Sequence, residues 1–515
     1  MTSVSTRFLG QPKLTNPTFN AKRPGDRSRC SSSIASVLAK TDLPGAGLRR
    51  SCRMEEPAGV EAAEAKVRAI LNLKRWVEAV RERILWAAAF LWRTLLVRTT
   101  FVAITGSVGK TTAKDCLAAI LEQLGPTVKT LRSNNGGPFI ARTILAARPR
   151  HRFVVLEVGI DQPGHMLRHA LLVRPDVVIE LAVASPHLST MGSLEKIAEE
   201  KAQLLRFLRP GGVAVLNGDD ARVAAMAQRV RGRVVWFGTS REFDVWADGV
   251  TAVWPARLSF RAHAGEECAE VTTEFVGRQW LGAVLAALAA GRLLGAALTQ
   301  ASRALQAVRP YTARMEPAVL PNGVIFLRDE AHGNLTDTEA AFEVLREASA
   351  KRRVVVISDV ANSGRHYRQR QRMLAQWAAA SAEVAVFVSE GSDYAARAAV
   401  RAGMPAENVH HFVTPQQAAE FLRAELRAGD LVLLKGQTKD HMSRIYFAQL
   451  GEVDCWRVNC GRRHVCDACP LLGLRPRIEP AAASGPIASP AARGGPSLAA
   501  QTSLERAEPA RWPGG

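Results

Sequence analysis

The chain has 515 residues, 47% hydrophobic and 23% charged, with a formal net charge of +20. That length is too great for one ordinary domain and implies two or three, and the composition is that of a globular protein rather than a fibrous or wholly disordered one. Eight cysteines, four of them clustered towards the C-terminus, argue against an extracellular disulfide framework and for a reducing, cytoplasmic setting, and no nucleic-acid-reading motif accompanies the positive charge.

Residues 1–54 carry ten Lys/Arg against two acids and are rich in Ser, Pro and Gly, which predicts a disordered basic extension. The same composition fits an organellar transit peptide, with Met54 as a later start. Residues 55–99 read as a helical segment, with helical periodicity over Glu61–Val97. Its apolar part, "ILWAAAFLWRTLLV" (Ile84–Val97), is too short to span a bilayer and is interrupted by Arg93, so no transmembrane segment is expected. The helix is expected to pack on the next domain; a peripheral membrane contact with Trp86 and Trp92 at the headgroups is the alternative.

From residue 100 short apolar runs alternate with amphipathic stretches. Thr100–Thr105, Phe153–Val158, Asp176–Leu181 and Gly212–Asn217 read as buried strands, and Thr112–Leu124 as a helix. Residues 234–276 suggest a small antiparallel extension, and Gly277–Leu294 an Ala/Leu-rich helix. A second rhythm follows, with strands at Gly323–Asp329, Arg353–Ser358, Glu383–Val388 and Asp430–Gly436. The predicted fold class is α/β: a P-loop-type central ATPase domain over 100–309 with a mostly parallel sheet, then a Rossmann-like α/β C-terminal domain over 310–450. A Cys-rich module occupies 451–474 and a disordered tail 475–515.

The stretch "ITGSVGKTTAKD" (Ile104–Asp115) carries the first chemistry. The general P-loop has a glycine five residues before its Gly-Lys pair, where this chain has Ile104. What remains is a tighter loop, Gly106-Ser107-Val108-Gly109-Lys110-Thr111-Thr112, after a predicted strand and before a predicted helix. Glycines there let backbone N–H groups face a phosphate at the helix N-terminus, where the helix dipole favours an anion. Lys110 can neutralise a terminal phosphate and Thr111 can ligate Mg²⁺. Two α/β domains in series also leave a cleft, a common place for a ligand.

Together with "LEVGIDQPGHM" (Leu156–Met166), "RPDVVIELAVASPHL" (Arg174–Leu188), "GSLEKIAEEKAQLL" (Gly192–Leu205) and "GGVAVLNGDD" (Gly211–Asp220), this loop resembles the Mur ligase family in order and spacing. These are ATP-dependent enzymes that add amino acids or a dipeptide to a peptidoglycan precursor, and the likeness is greatest to the branch adding D-alanyl-D-alanine. It covers about residues 100–450. The resemblance implies ATP and Mg²⁺ as cofactors, with Lys110, Lys201 and His187 as catalytic residues. Thr111, Glu157, His187 and Lys201 become metal ligands, Lys201 after carbamylation by CO₂. Asn134 and Asn135 of "SNNGGP" would face the substrate. Arg314 of "ARMEP" and Asp329, His332 and Asn334 of "RDEAHGN" would approach the nucleotide, and "LLKGQTKDHM" (Leu433–Met442) matches the last strand and its loop. Taken singly, Glu157 reads as a capping acid, His187 as a structural histidine and Lys201 as a solvated helix charge.

Three departures stand out. The family's asparagine-bearing stretch reads "GRQWLGA" (Gly277–Ala283) here, with Trp280 and Ala283 at the asparagine positions, so Trp280 is expected either to stack on the base or to weaken the nucleotide grip. The domain that holds the UDP-sugar precursor is not recognisable, which makes a partner subunit a candidate for substrate recognition. The segment "CWRVNCGRRHVCDAC" adds Cys455, Cys460, Cys466 and Cys469, a set suited to tetrahedral zinc or, second, to an iron–sulfur cluster, with His464 as a substitute ligand. The expected function is an ATP-dependent ligase joining a carboxylate to an amine through an acyl phosphate. A non-catalytic nucleotide-binding scaffold and a folylpolyglutamate- or cyanophycin-type ligase are the alternatives.

Overall fold

The computed structural model describes residues 58–184, 191–359, 366–457, 460–462 and 465–476, with side chains from residue 72 onward. Contacts divide the chain into two units, Met1–Leu73 and Lys74–Gly515, and both sheets lie in the second. The predicted helix is one long element, α1 (Ala58–Leu95). In the larger unit α1 is pinned by Arg93, whose guanidinium donates to the carbonyls of Val173 and Arg174 at 2.7 Å each and lies 3.8 Å from the centre of the Phe101 ring. Trp92 donates to the Ala147 carbonyl at 2.9 Å. Packing on the neighbouring domain, the first of the two expectations for this helix, therefore holds for its inner face, and Trp86 and Trp92 belong to that side.

The first sheet has nine strands: β1 (Thr100–Thr105), β2 (Thr127–Lys129), β3 (Phe153–Glu157), β4 (Val177–Glu180), β5 (Val213–Asn217), β6 (Arg233–Gly238), β7 (Val245–Thr251), β8 (Ser259–Ala264) and β9 (Glu267–Thr272). Their order is β2-β3-β1-β4-β5-β6-β7-β8-β9, parallel through β7 and antiparallel from β7 to β9. The parallel strands are near-continuous apolar runs because helices cover both faces, as β3 shows with every residue buried. Helices α2 (Lys110–Glu122), α3 (Gly137–Ala146), α4 (His165–Val173) and α5 (Leu194–Ala202) follow β1, β2, β3 and β4 respectively. Between β1 and β4 the chain changes direction across the sheet, which opens a crevice at the strands' carboxyl ends.

The second sheet contains β10 (Glu316–Val319), β11 (Ile325–Asp329), β12 (Arg352–Ile357), β13 (Val384–Val388), β14 (Val409–Phe412) and β15 (Asp430–Lys435), in the order β10-β11-β15-β12-β13-β14. Only the β10–β11 pairing is antiparallel. The α/β expectation is borne out for both regions. The stretch predicted as one helix from Gly277 begins instead with a 3₁₀ turn, Arg278–Trp280, before α6 (Leu281–Leu293).

The Cys-rich segment is no loose appendage. Cys466, Leu472 and Val453 join Val432, Leu434 and Ile445 in one buried cluster. Arg475, expected in the disordered tail, pairs its backbone with Glu452 in both directions at 2.9 Å. Asp467 forms a two-pronged ion pair with buried Arg328 at 2.7 and 2.9 Å, and Arg328 also binds Glu330.

Candidate active site

The phosphate loop is shaped by two glycines. Gly106 has φ 150°, and a Cβ there would stand 2.8 Å from Leu181 Cβ; Gly109, at φ 79°, caps α2 in the left-handed region. Lys110 at the first turn of α2 folds back, its Nζ donating to the Gly106 carbonyl at 2.7 Å and to that of Ser107 at 3.3 Å. Burial holds its ammonium below the usual lysine range.

Glu157, the last residue of β3, is 1% exposed and held on both oxygens. Thr111 Oγ1 donates to one at 3.0 Å and Asn135 Nδ2 to the other at 2.9 Å, with Lys114 Nζ at 4.0 Å. Thr111 and Glu157 thus offer two oxygen ligands at one point, and Asn135 ties the loop before α3 to them. These donors are the hard oxygens that Mg²⁺ takes, beside a loop built for phosphate. Among the described residues no three His, Cys, Asp or Glu side chains form a metal-binding group, so a Mg²⁺ site here needs the Thr111 hydroxyl, phosphate oxygens or a modified lysine to complete it.

Lys201, near the end of α5, is 3% exposed and donates to the Gly106 carbonyl at 3.0 Å. Burial first, then the neighbouring Lys110 charge, lowers its pKa to about 7, against the opposing pull of Glu180. It lines a cavity of about 30 Å³ with Gly106, Ser107, Lys110, Asn135 and Asp161. Glu180, at the end of β4, is fully buried, and neither carboxylate oxygen has a hydrogen-bond partner among the described residues. Burial pushes it up to about 8.

The second domain closes the other side. A cavity of about 280 Å³ is lined by Ser107, Val108, Gly109, Lys110, Thr111, Asn135, Glu157 and Asp161 from the first domain, with Gln279 and Trp280 at its edge. Arg314, Asp329, His332, Asn334 and Asp337 face them from the second. Arg314 and His332 are in direct side-chain contact. Asp329 accepts from Lys435 Nζ at 2.7 Å and from the Met315 backbone at 3.1 Å, and burial raises its pKa to about 6. Trp280 donates its Nε1 to the Val276 carbonyl at 3.1 Å. Asn334 caps α7 (Leu335–Glu347), its side chain accepting from the Asp337 backbone at 2.9 Å.

The structure therefore assembles most of the predicted residues in two adjoining cavities. Thr112 and Asn134 line neither, and His187 lies outside the described residues. Sequence reasoning missed Glu180, hidden in the apolar run "DVVIEL", and Lys114 and Asp161, although both lie in motifs already singled out. The zinc and iron–sulfur expectations find no support in the cysteine geometry. Cys460 lies 3.1 Å from Nε2 of His441 and Cys466 3.5 Å from its Nδ1, and among the described residues no three His, Cys, Asp or Glu side chains form a metal-binding group. Arg462 donates to Cys469 at 3.7 Å, and His464 lies outside the described residues.

The Mur ligase middle domain matches residues 104–291, and the Mur ligase glutamate ligase domain matches 313–438. A UDP-N-acetylmuramoyl-tripeptide–D-alanyl-D-alanine ligase of Mycobacterium bovis is 30% identical over 380 residues, covering 70% of this chain and 74% of that protein. The chain belongs to the Mur ligase family. It is an ATP-dependent carbon–nitrogen ligase, and ATP with Mg²⁺ is the family's general cofactor pair. A UDP-N-acetylmuramoylalanine–D-glutamate ligase of Pelotomaculum thermopropionicum is 28% identical over 359 residues, covering 69% of this chain and 74% of the relative. In fold, this Mur ligase is similar to a MurF crystal structure from Acinetobacter baumannii, with TM-score 0.66, 24% identity and coverage of 72% and 80%. A Thermotoga maritima MurF ligase in complex with ADP gives TM-score 0.63 at 19% identity, covering 72% of this chain and 83% of that one.

Proposed function

We propose that this ligase joins D-alanyl-D-alanine, or a single amino acid, to the terminal carboxylate of a peptidoglycan-type precursor, in the cytoplasm. The observation that carries the reading is the cavity in which Lys110, Thr111 and Glu157 face Arg314, Asp329 and His332. Such an enclosure suits a reaction that brings two anions together and keeps water from a reactive intermediate. The acceptor carboxylate attacks the terminal phosphorus, giving an acyl phosphate and ADP; the amine then attacks the acyl carbon and phosphate leaves. In this reading the loop N–H groups and Lys110 hold the terminal phosphate, and Arg314 approaches it from the second domain. Thr111 and Glu157 are the residues that would hold Mg²⁺, and the chemistry it would supply is polarisation of the phosphoryl oxygens. Asn135 positions Glu157, and Trp280 supplies an aromatic wall for the base.

Lys201 is proposed as the residue that adds CO₂. Burial and the Lys110 charge lower its pKa to about 7, which makes the neutral amine available at physiological pH, and only a neutral amine attacks CO₂. The carbamate would supply the missing carboxylate beside the 30 Å³ cavity, with His187 assigned a second ion on the family resemblance. A partner that presents the substrate fits the same reading. The cysteine segment enters it as a packed part of the second domain.

The test is ADP release with Mg²⁺ across muramoyl-peptide acceptors paired with D-Ala-D-Ala or amino acids, beside Lys110→Ala. Turnover that needs both partners and falls by about 10²-fold or more in the variant is expected. ATP binding with no muramoyl acceptor active would move the assignment to another carboxylate or to a scaffold. Absence of ATP binding would overturn the reading at the Trp280 wall.

A further inference from the structure

Helix α1 is apolar on two sides, and its outer side is left uncovered among the described residues. Leu85, Ala89, Trp92 and Leu96 pack inward. Ile84, Leu91 and Leu95 are 64, 64 and 67% exposed, and with exposed Val77 they fall on one outward stripe at helical spacing. Trp76, 64% exposed, and Phe90 widen it. Leu167 and Leu171 of α4 add exposed apolar surface, and a shallow depression of about 510 Å³ runs between Leu91, Phe90 and Leu171. A contiguous apolar surface of this kind marks an interaction site.

The rim identifies the occupant. Exposed Lys74, Arg81, Arg83 and Arg98 lie to either side of the stripe, and the same stretch has only two acids, Glu78 and Glu82. Arg174 lies 4.6 Å from the centre of the Phe90 ring, so the patch sets a cation against an aromatic ring. No described helix is long and apolar enough to cross a membrane, while the 22 residues from Lys74 to Leu95 form a rod of roughly 33 Å that can lie along one. Aromatic and aliphatic side chains on one face with arginines at its edges suit the boundary between acyl chains and anionic headgroups.

We propose that this face docks the protein on an anionic lipid bilayer, with Val77, Ile84, Leu91 and Leu95 in the acyl boundary and the flanking arginines among headgroup phosphates. The inner side of the same helix reaches the substrate loop. A Cβ on Gly137 would stand 2.5 Å from Trp86, and Gly137 lies two residues after Asn135, which lines the main cavity. A docked chain would hold that loop close to the membrane surface. This proposal is independent of the ligase substrate.

The experiment is flotation of the full chain with vesicles of phosphatidylcholine alone and with phosphatidylglycerol added, at low and high salt. The expected result is binding to the anionic vesicles that weakens with salt and falls about tenfold or more in Ile84→Asp/Leu91→Asp. Far-UV circular dichroism and urea midpoints confirm that this exposed double variant folds, and Arg81→Glu/Arg83→Glu tests the rim in the same way. Undiminished binding by both variants would assign attachment to charge elsewhere, such as residues 1–54, and overturn the proposal. So would no binding by the parent chain. A parent that sediments as a dimer and a double variant that is monomeric, with no vesicle attachment, would make the face an interface between copies instead.

Discussion

His169 joins the helix face to the site through single contacts. Its ring stacks on Trp86 at 6.0 Å, and Nδ1 lies 3.1 Å from the Gly159 carbonyl, itself packed against Asn135. Burial, helped by His165, lowers its pKa from 6.5 to about 4. Between those values the unfolded chain binds a proton that the folded chain refuses, so stability falls as pH drops through that window. His169→Gln should therefore lose less stability than the parent between pH 7 and pH 4, by up to about 3 kcal/mol, read from urea midpoints at both pH values. Lys110, Glu157 and Lys201 were legible because each sits in a stretch whose order matches a family. Glu180 was not: one acid at the end of "VVIE" looks like the end of a strand, and only the folded neighbourhood shows its oxygens buried with no hydrogen-bond partner among the described residues.

At the scale of elements, the loop and the helix caps can be tested apart from the chemistry. Gly106→Ala places a Cβ 2.8 Å from that of Leu181 at a φ that L residues avoid, and neither group is a flexible tip. Loss of about 1–3 kcal/mol in unfolding free energy, with weaker ATP binding by calorimetry, is expected. Asn334 both caps α7 and faces the cavity, so Asn334→Ala should cost about 1 kcal/mol in urea unfolding. Asn334→Ser, which can cap without setting a second carboxylate against Asp337, should restore the cap and leave any loss in nucleotide affinity exposed. The buried parallel strands were legible as apolar runs, since both their faces are covered. The edge strands β2 and β14, only half-buried and of three and four residues, carried no such run. Helix α3 was hidden because "SNNGGP" reads as a turn, and that turn is what starts it. The two apolar sides of α1 could not be sorted by periodicity, because a repeat at helical spacing marks an apolar stripe without showing which stripe meets the neighbouring domain.

Across the whole molecule, one guanidinium ties the Cys-rich segment to the strand bearing Asp329. Arg328, 4% exposed, is shared by Glu330, Asp467 and Glu316. Arg328→Ala would strand buried Glu330 and release Asp467, and about 3–5 kcal/mol of lost stability is expected by urea denaturation. The zinc expectation drew on four thiols in a short span, and spacing alone cannot show that His441 contacts two of them. That arrangement has a consequence for trimming the gene. The family match ends at residue 438, yet the last β15-side contacts run on to Arg475, where the backbone pairs with Glu452. A fragment cut at the homology boundary would discard the acid opposite Arg328 and the apolar cover supplied by Cys466 and Leu472. The smallest fragment worth expressing therefore extends at least to Arg475, well beyond residue 438 where the family-model match stops.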